Sequence, residues 1–207
     1  MTNPKYFTSL FFLFLFSTQA MAQQPRMIGD LNSHTFNGDP QNIVEMNGIF
    51  YFSADDLVNG RELWRSDGTK EGTYMVKNIR AGFTSSNPGS LVVFNNLIVF
   101  SAEDKFATTR LYRSDGTDTG TYAISETAPY NRSIIYNAGH RLYYNGNTRK
   151  DGEELWTSDG TSAGTYMVRS IRSGSGDASP ISFTHEDSIC YFLASAGSGR
   201  RVYKTDG

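Results

Sequence analysis

Residues Glu62 to Ile79 read Glu-Leu-Trp-Arg-Ser-Asp-Gly-Thr-Lys-Glu-Gly-Thr-Tyr-Met-Val-Lys-Asn-Ile. The pattern returns at Glu154 to Ile171 as Glu-Leu-Trp-Thr-Ser-Asp-Gly-Thr-Ser-Ala-Gly-Thr-Tyr-Met-Val-Arg-Ser-Ile. A looser copy runs from Arg110 to Thr127, and a fourth opens at Arg201 with Arg-Val-Tyr-Lys-Thr-Asp-Gly. The four starts are spaced by 48, 44 and 47 residues. Self-similarity at this period marks a repeat architecture, in which each unit buries apolar surface against the next copy. The period also extends beyond the motif. At a shift of 48, Pro40 falls on Pro88, Asn47 on Asn95 and Phe52-Ser53-Ala54 on Phe100-Ser101-Ala102; at a shift of 92, Gly82 falls on Gly174.

Each unit divides into four short runs rich in β-branched and aromatic residues, bounded by turn formers. In the first unit these are Asn42–Met46, Ile49–Ala54, Glu62–Ser66 and Thr73–Asn78. Asn47-Gly48 between the first two runs is a two-residue hairpin signal, because both residues tolerate positive φ. Asn95-Asn96 and Ala138-Gly139 take the same corner in later units. No long window shows the i, i+3, i+4, i+7 spacing of a helix. The runs are apolar on both faces, as in Ile49-Phe50-Tyr51-Phe52, which suits a sheet held between two neighbours. The chain is therefore expected to be all-β, a β-propeller of about four four-stranded antiparallel blades spanning residues 40–79, 88–127, 131–171 and 179–207. A β-solenoid is the other architecture weighed; its repeats are usually shorter.

Met27-Ile28-Gly29-Asp30-Leu31 aligns with the fourth run Met75-Val76-Lys77-Asn78-Ile79 and reads as an orphan fourth strand ahead of the first unit. The fourth unit stops inside its third turn at Gly207. Two readings follow: a piece of a longer repeat protein, which is the favoured expectation, or a four-bladed ring whose last blade borrows residues 27–31. Residues 1–22 read as an export signal, with Lys5, an apolar run through Leu10 to Phe16 and the small-residue site Ala20-Met21-Ala22. That run is too short to span a bilayer as a helix, so no integral membrane segment is expected once the signal is cleaved. A secreted chain follows. Its formal charge of −2 and scattered basic residues argue against a nucleic-acid partner. Cys190 is the only cysteine, so no intrachain disulfide forms, and a small buried hydrophobe is its expected role.

The motif Glu-Leu-Trp-x-Ser-Asp-Gly-Thr-x-x-Gly-Thr-Tyr-Met-Val resembles the ELWxxDGT repeat family of exported bacterial proteins, often described as hyalin-like. The match is close in units one and three. It is weaker in unit two, where Arg110-Leu111-Tyr112 replaces the leading triplet, and in unit four, which keeps Val202-Tyr203 and Asp206-Gly207. The resemblance spans residues 27–207 and implies an exported β-propeller with no defined catalytic activity.

The recurrent corner Asp67-Gly68-Thr69, Asp115-Gly116-Thr117 and Asp159-Gly160-Thr161 admits a metal or a structural role. A calcium loop needs several alternating oxygen ligands, whereas one Asp before Gly suits a turn that caps its own amides. The structural role is expected, with no metal and no cofactor. Trp64, Tyr112, Trp156 and Tyr203 recur at one strand position and are expected to pack between units. Acidic pairs at Asp55-Asp56, Glu103-Asp104 and Glu153-Glu154 are read as a solvated rim in the loops between second and third strands. Their use as a hydrolase's two carboxylates is the alternative. By propeller geometry those loops share a face with the connections between units. A candidate ligand face is drawn there from Arg80, Asn87, Arg172, Asp177, Asp55 and Asp56. The expected function is a non-enzymatic exported scaffold for a protein or glycan ligand; the alternative is a partial propeller of a carbohydrate-active enzyme or sensor.

Overall fold

A computed structural model describes residues 38–130 and 133–207. Both the export segment 1–22 and the segment 27–31 lie outside the described residues. Every named element is a β-strand, and the strands form four antiparallel sheets in chain order. The first sheet holds β1 (Gln41–Met46), β2 (Ile49–Asp55), β3 (Arg61–Ser66) and β4 (Tyr74–Lys77). The second holds β5 (Gly89–Phe94), β6 (Leu97–Glu103), β7 (Thr109–Ser114) and β8 (Tyr122–Ser125). The third holds β9 (Tyr136–Asn137), β10 (Leu142–Thr148), β11 (Gly152–Ser158) and β12 (Tyr166–Arg169). The fourth has three strands, β13 (Ile181–Glu186), β14 (Ile189–Ser195) and β15 (Arg200–Thr205).

Local sequence explains the corners. Asn47 and Gly48 both have positive φ and join β1 to β2 by a two-residue turn, with Met46 paired to Ile49. Asn95 and Asn96 do the same between β5 and β6. The third unit departs from the expected two-residue turn at Ala138-Gly139. Its loop runs over residues 138–141, closed by the Ala138 N–H on the Arg141 carbonyl (2.9 Å), because β9 pairs with β10 only through Tyr136 and Asn137. Asn42, Ser90 and Ser182 share a φ near 50–55° at equivalent positions of the first strands, each at a register shift against the second strand. A bulge of this kind bends a strand and raises its twist.

Apolar residues sit on both faces because successive sheets pack face to face, the second and third each between two others. Met46, Tyr51, Leu63 and Val76 of the first sheet meet Ile98, Phe100, Ala102 and Tyr112 of the second in one cluster. Val99, Leu111 and Ile124 meet Ile135, Leu142 and Tyr144 in the next. Tyr143 and Leu155 meet Cys190, Phe192 and Ala194 in the third. Third-strand aromatics pair with their cross-strand neighbours inside these joints: Phe100 with Tyr112 at 5.7 Å, Tyr144 with Trp156 at 6.3 Å and Phe192 with Tyr203 at 5.6 Å. Stacked ring pairs add to the area they bury. First strands of successive sheets also lie side by side, β1 beside β5 and β5 beside β9. Among the described residues no hydrophobic cluster joins the fourth sheet to the first.

Candidate functional site

The Asp-Gly-Thr corner is built the same way three times. In the first sheet one Asp67 oxygen accepts from the Thr69 N–H (2.9 Å) and hydroxyl (2.7 Å), and the Thr69 hydroxyl in turn accepts from the Gly72 N–H (3.0 Å). The Gly68 N–H donates to Ser66 Oγ, which pairs with the Thr73 hydroxyl (2.7 Å). Asp115 with Thr117 and Asp159 with Thr161 repeat the pattern. Gly68, Gly116 and Gly160 have positive φ, which glycine adopts at least cost. The second glycine has another reason. A Cβ at Gly72, Gly120 or Gly164 would overlap the carboxylate of Asp67, Asp115 or Asp159. Threonine hydroxyl and amide donation hold the Asp67 and Asp115 carboxyls below the usual range. At Asp159 burial opposes this, and the Thr161 bonds outweigh it. One oxygen of each carboxylate is thus occupied by its own turn. Among the described residues no three His, Cys, Asp or Glu side chains gather as a metal site.

The acidic pairs are not uniformly a solvated rim: Asp55 and Asp56 are half-exposed in their loop, but Asp104 and Glu154 are buried. Glu154 lies within β11 and is fully buried, as is Glu62 at the same position of β3. Glu62 accepts from the Ile79, Arg80 and Ser86 amides (3.0, 3.3 and 3.2 Å) and from Ser86 Oγ (2.5 Å). Glu154 accepts from the Ile171 and Arg172 amides, both at 2.9 Å. Each carboxylate therefore ties the chain leaving the fourth strand back to the third. Burial raises both carboxyls above their ordinary range, against the pull of these donors. Unit two places Arg110 here, and it forms ion pairs with Asp104 (2.6 Å) and Glu126 instead of accepting backbone amides.

The remaining acids brace loops. Asp55 accepts from the Leu57 N–H, and Asp56 from the Val58 and Asn59 amides and Asn59 Nδ2. Asp104 accepts from the Phe106 and Thr108 amides.

The residues drawn as a ligand face fall into two groups. Arg80 donates to Glu103 (2.9 Å) and to the Ser85 carbonyl (3.3 Å), and Asn87 reaches the same Glu103 at 3.4 Å. Asp55 and Asp56 stand in the neighbouring β2–β3 loop, which packs on that connection: Arg61 N–H donates to Ser85 Oγ and Asn78 to Asn59. Arg172 and Asp177 are at the last joint, where Arg172 donates to the Asp177 carbonyl (3.3 Å) and Asp177 accepts from the Glu153 N–H (3.0 Å). No hydrogen bond among the described residues connects the two groups.

These loops also carry large apolar side chains that the sequence reading passed over. Leu57 and Val58 in the β2–β3 loop, Phe83 between β4 and β5, and Phe106 between β6 and β7 are all exposed, Phe83 by 84% and Phe106 by 73%. A signal for them existed: Val58 and Phe106 coincide at the shift of 48, each among turn formers. Elsewhere, burial pushes the Cys190 thiol up to about 11, which suppresses thiolate chemistry at neutral pH.

No family model matches this chain, and no curated protein matches it either. Among solved structures it is similar to "Bacteroides ovatus Xyloglucan PUL GH43B", with 14% identity and a TM-score of 0.38, over 83% of this chain and 39% of that one. The chain thus spans about two fifths of that protein's length.

Proposed function

We propose that this chain is an exported, non-enzymatic repeat protein of the ELWxxDGT kind, whose sheets are propeller blades and whose loop face holds a protein or glycan ligand. The repeated motif and the leading segment 1–22 support the family and the export. Sheets stacked in chain order with adjacent first strands support the blades. The observation that carries the binding reading is the set Leu57, Val58, Phe83 and Phe106, apolar side chains left in water on loops otherwise held by dense hydrogen bonding. Large exposed apolar groups on a braced frame mark an interaction surface. Arg80, Asn87, Asp55 and Asp56 brace the loops that carry these side chains, and Arg172 and Asp177 would extend the face at the last joint.

The enzyme alternative requires two carboxylates poised across a substrate. Here Asp55, Asp56 and Asp104 are engaged by their own loops, and Glu103 by Arg80 of the β4–β5 connection. A glycan array and a polysaccharide-hydrolysis screen, run on the natural chain and on a Phe83→Ser/Phe106→Ser variant, test the proposal. Binding without turnover, lost in a variant of unchanged melting temperature, is the expected result. Hydrolysis of any polysaccharide by the natural chain would overturn it.

A further inference from the structure

The joints between sheets are not filled alike at the end that carries the connecting loops. Between the first and second sheets, Arg80 of the β4–β5 connection reaches Glu103 at the end of β6 (2.9 Å), and the pair spans the joint. Arg80 falls on Ala128 at the shift of 48, and Glu103 falls on Asn147 at the shift of 44. Between the second and third sheets, both charged side chains are thus replaced by shorter, neutral ones. The next joint keeps an arginine, Arg172. At the exceptional joint lies a cavity of about 400 Å³ lined by Ala128 and Asn147, with Thr109, Glu126, Thr127 and Tyr130. That is a volume typical of small-ligand sites.

Its walls are fixed. Pro129 bridges to Gly146 in β10, and the Thr127 carbonyl accepts from the Tyr144 hydroxyl (3.2 Å). On the other side Arg110 donates to the buried Asp104 (2.6 Å) and pairs with Glu126. One guanidinium against two carboxylates leaves this side net negative, and no lining residue is a cation, so an anionic ligand is disfavoured. What the cavity offers instead is neutral hydrogen bonding. The Asn147 amide and the Thr109 and Tyr130 hydroxyls have no partner among the described residues. The Tyr130 ring is 46% exposed. Amides and hydroxyls both donate and accept, which suits a ligand dense in hydroxyls. A tyrosine ring supplies an apolar face beside them, the match for the C–H side of a sugar ring.

We propose that this cavity holds one unit of a neutral polysaccharide, stacked on Tyr130 and hydrogen-bonded by Asn147, Thr109 and Glu126. The proposal rests on the ligand-face reading above and deepens it, naming the joint and the kind of glycan.

Refilling the joint tests it. In calorimetric titration of the full chain with neutral hexasaccharides of glucose, mannose, galactose and xylose, at least one is expected to bind. Ala128→Arg/Asn147→Glu restores the pair of the first joint and should weaken that binding at least about tenfold at an unchanged melting temperature. Asn147→Ala adds no bulk and should weaken it by about three- to tenfold, the worth of one hydrogen bond. Hexagalacturonate, an acidic control, should bind less well; equal or tighter binding would rule out the neutral class. Affinity unchanged in both variants would sink the site, and if Phe83→Ser/Phe106→Ser still abolished binding, the ligand face would stand without it. Should none of the neutral hexasaccharides bind the natural chain, the site falls and the face is left to a protein ligand.

Discussion

The second and fourth sheets place an apolar residue at the same point of the third strand, and only one of them hides it. Leu111 in β7 is fully buried in the cluster shared with the third sheet, whereas Val202 in β15 is 72% exposed. Leu63 and Leu155, at the equivalent points of β3 and β11, are buried like Leu111. Strand type, register and hydrophobicity are alike at all four, so the neighbour makes the difference. Burial in this chain is a property of the joint between units, as expected when stability is a sum over nearest neighbours.

The sharpest test of that comparison is truncation. Leu111→Ala should cost about 2–5 kcal/mol in urea unfolding, the range for a buried leucine. Val202→Ala should stay within about 0.5 kcal/mol, as for other exposed positions. Equal costs would break the comparison outright.

The turns offer a second contrast. Gly116 lies against the Tyr51 hydroxyl of the preceding sheet, so an added Cβ would overlap it, while nothing lies within 4 Å of a Cβ at Gly68. Both have positive φ. Gly68→Ala should cost about 1–2 kcal/mol from the left-handed conformation alone. Gly116→Ala should cost about 1–3 kcal/mol more through overpacking at the joint. If the two melt alike, the turn of the second sheet is not seated as described.

Glu62 and Arg110 differ in kind at one position of the repeat. Glu62→Ala leaves the half-buried Ile79 and Arg80 amides and the buried Ser86 without their acceptor and should cost about 1–3 kcal/mol. Arg110→Ala, losing ion pairs near the surface, should cost less than about 1 kcal/mol.

The pH dependence separates them further. Because the folded Glu62 carboxyl is raised above its unfolded value, its contribution is fully present below the unfolded value, near pH 4.5, and is lost as pH rises through the folded one. The melting temperature of Glu62→Gln minus that of the natural chain should therefore climb from pH 4 to pH 7. A flat difference would mean that the carboxylate is not desolvated in the fold.

The Asp turns have the opposite sign. Their carboxyls are depressed, so their contribution is present above the unfolded value and fades as pH falls through the folded one. The smallest expected effect is Asp115→Ala, about 0.5–1 kcal/mol at neutral pH after discounting for exposure. It should be the same with and without calcium; a calcium-dependent loss would assign the turn a metal.

Much of this was legible in the residues. The Asn47-Gly48 corner, the strand runs and the four copies follow from turn chemistry and period, and the sheets form where those signals fall. Glu154 was misread, because Gly152-Glu153-Glu154 looks like a polar loop although β11 already begins at Gly152. Its recurrence with Glu62 ahead of Leu-Trp was the better guide, since a carboxylate repeated at one strand position points to one repeated partner. The role of Gly72 is invisible to propensity. It carries no unusual φ, and only the carboxylate folded against it shows why a side chain is excluded. Phe83 has no apolar counterpart one period on, whereas Phe106 falls on Val58 at the shift of 48, a recurrence hidden among turn formers.

The two sides of each sheet are unlike: one presents Phe100 and Tyr112 backward, the other Val99 and Leu111 forward. Units can therefore join in only one polarity, front to back. Unequal crossover between copies in the same register would change their number while keeping a front-to-back seam, so a gene of this kind can lengthen or shorten by whole modules.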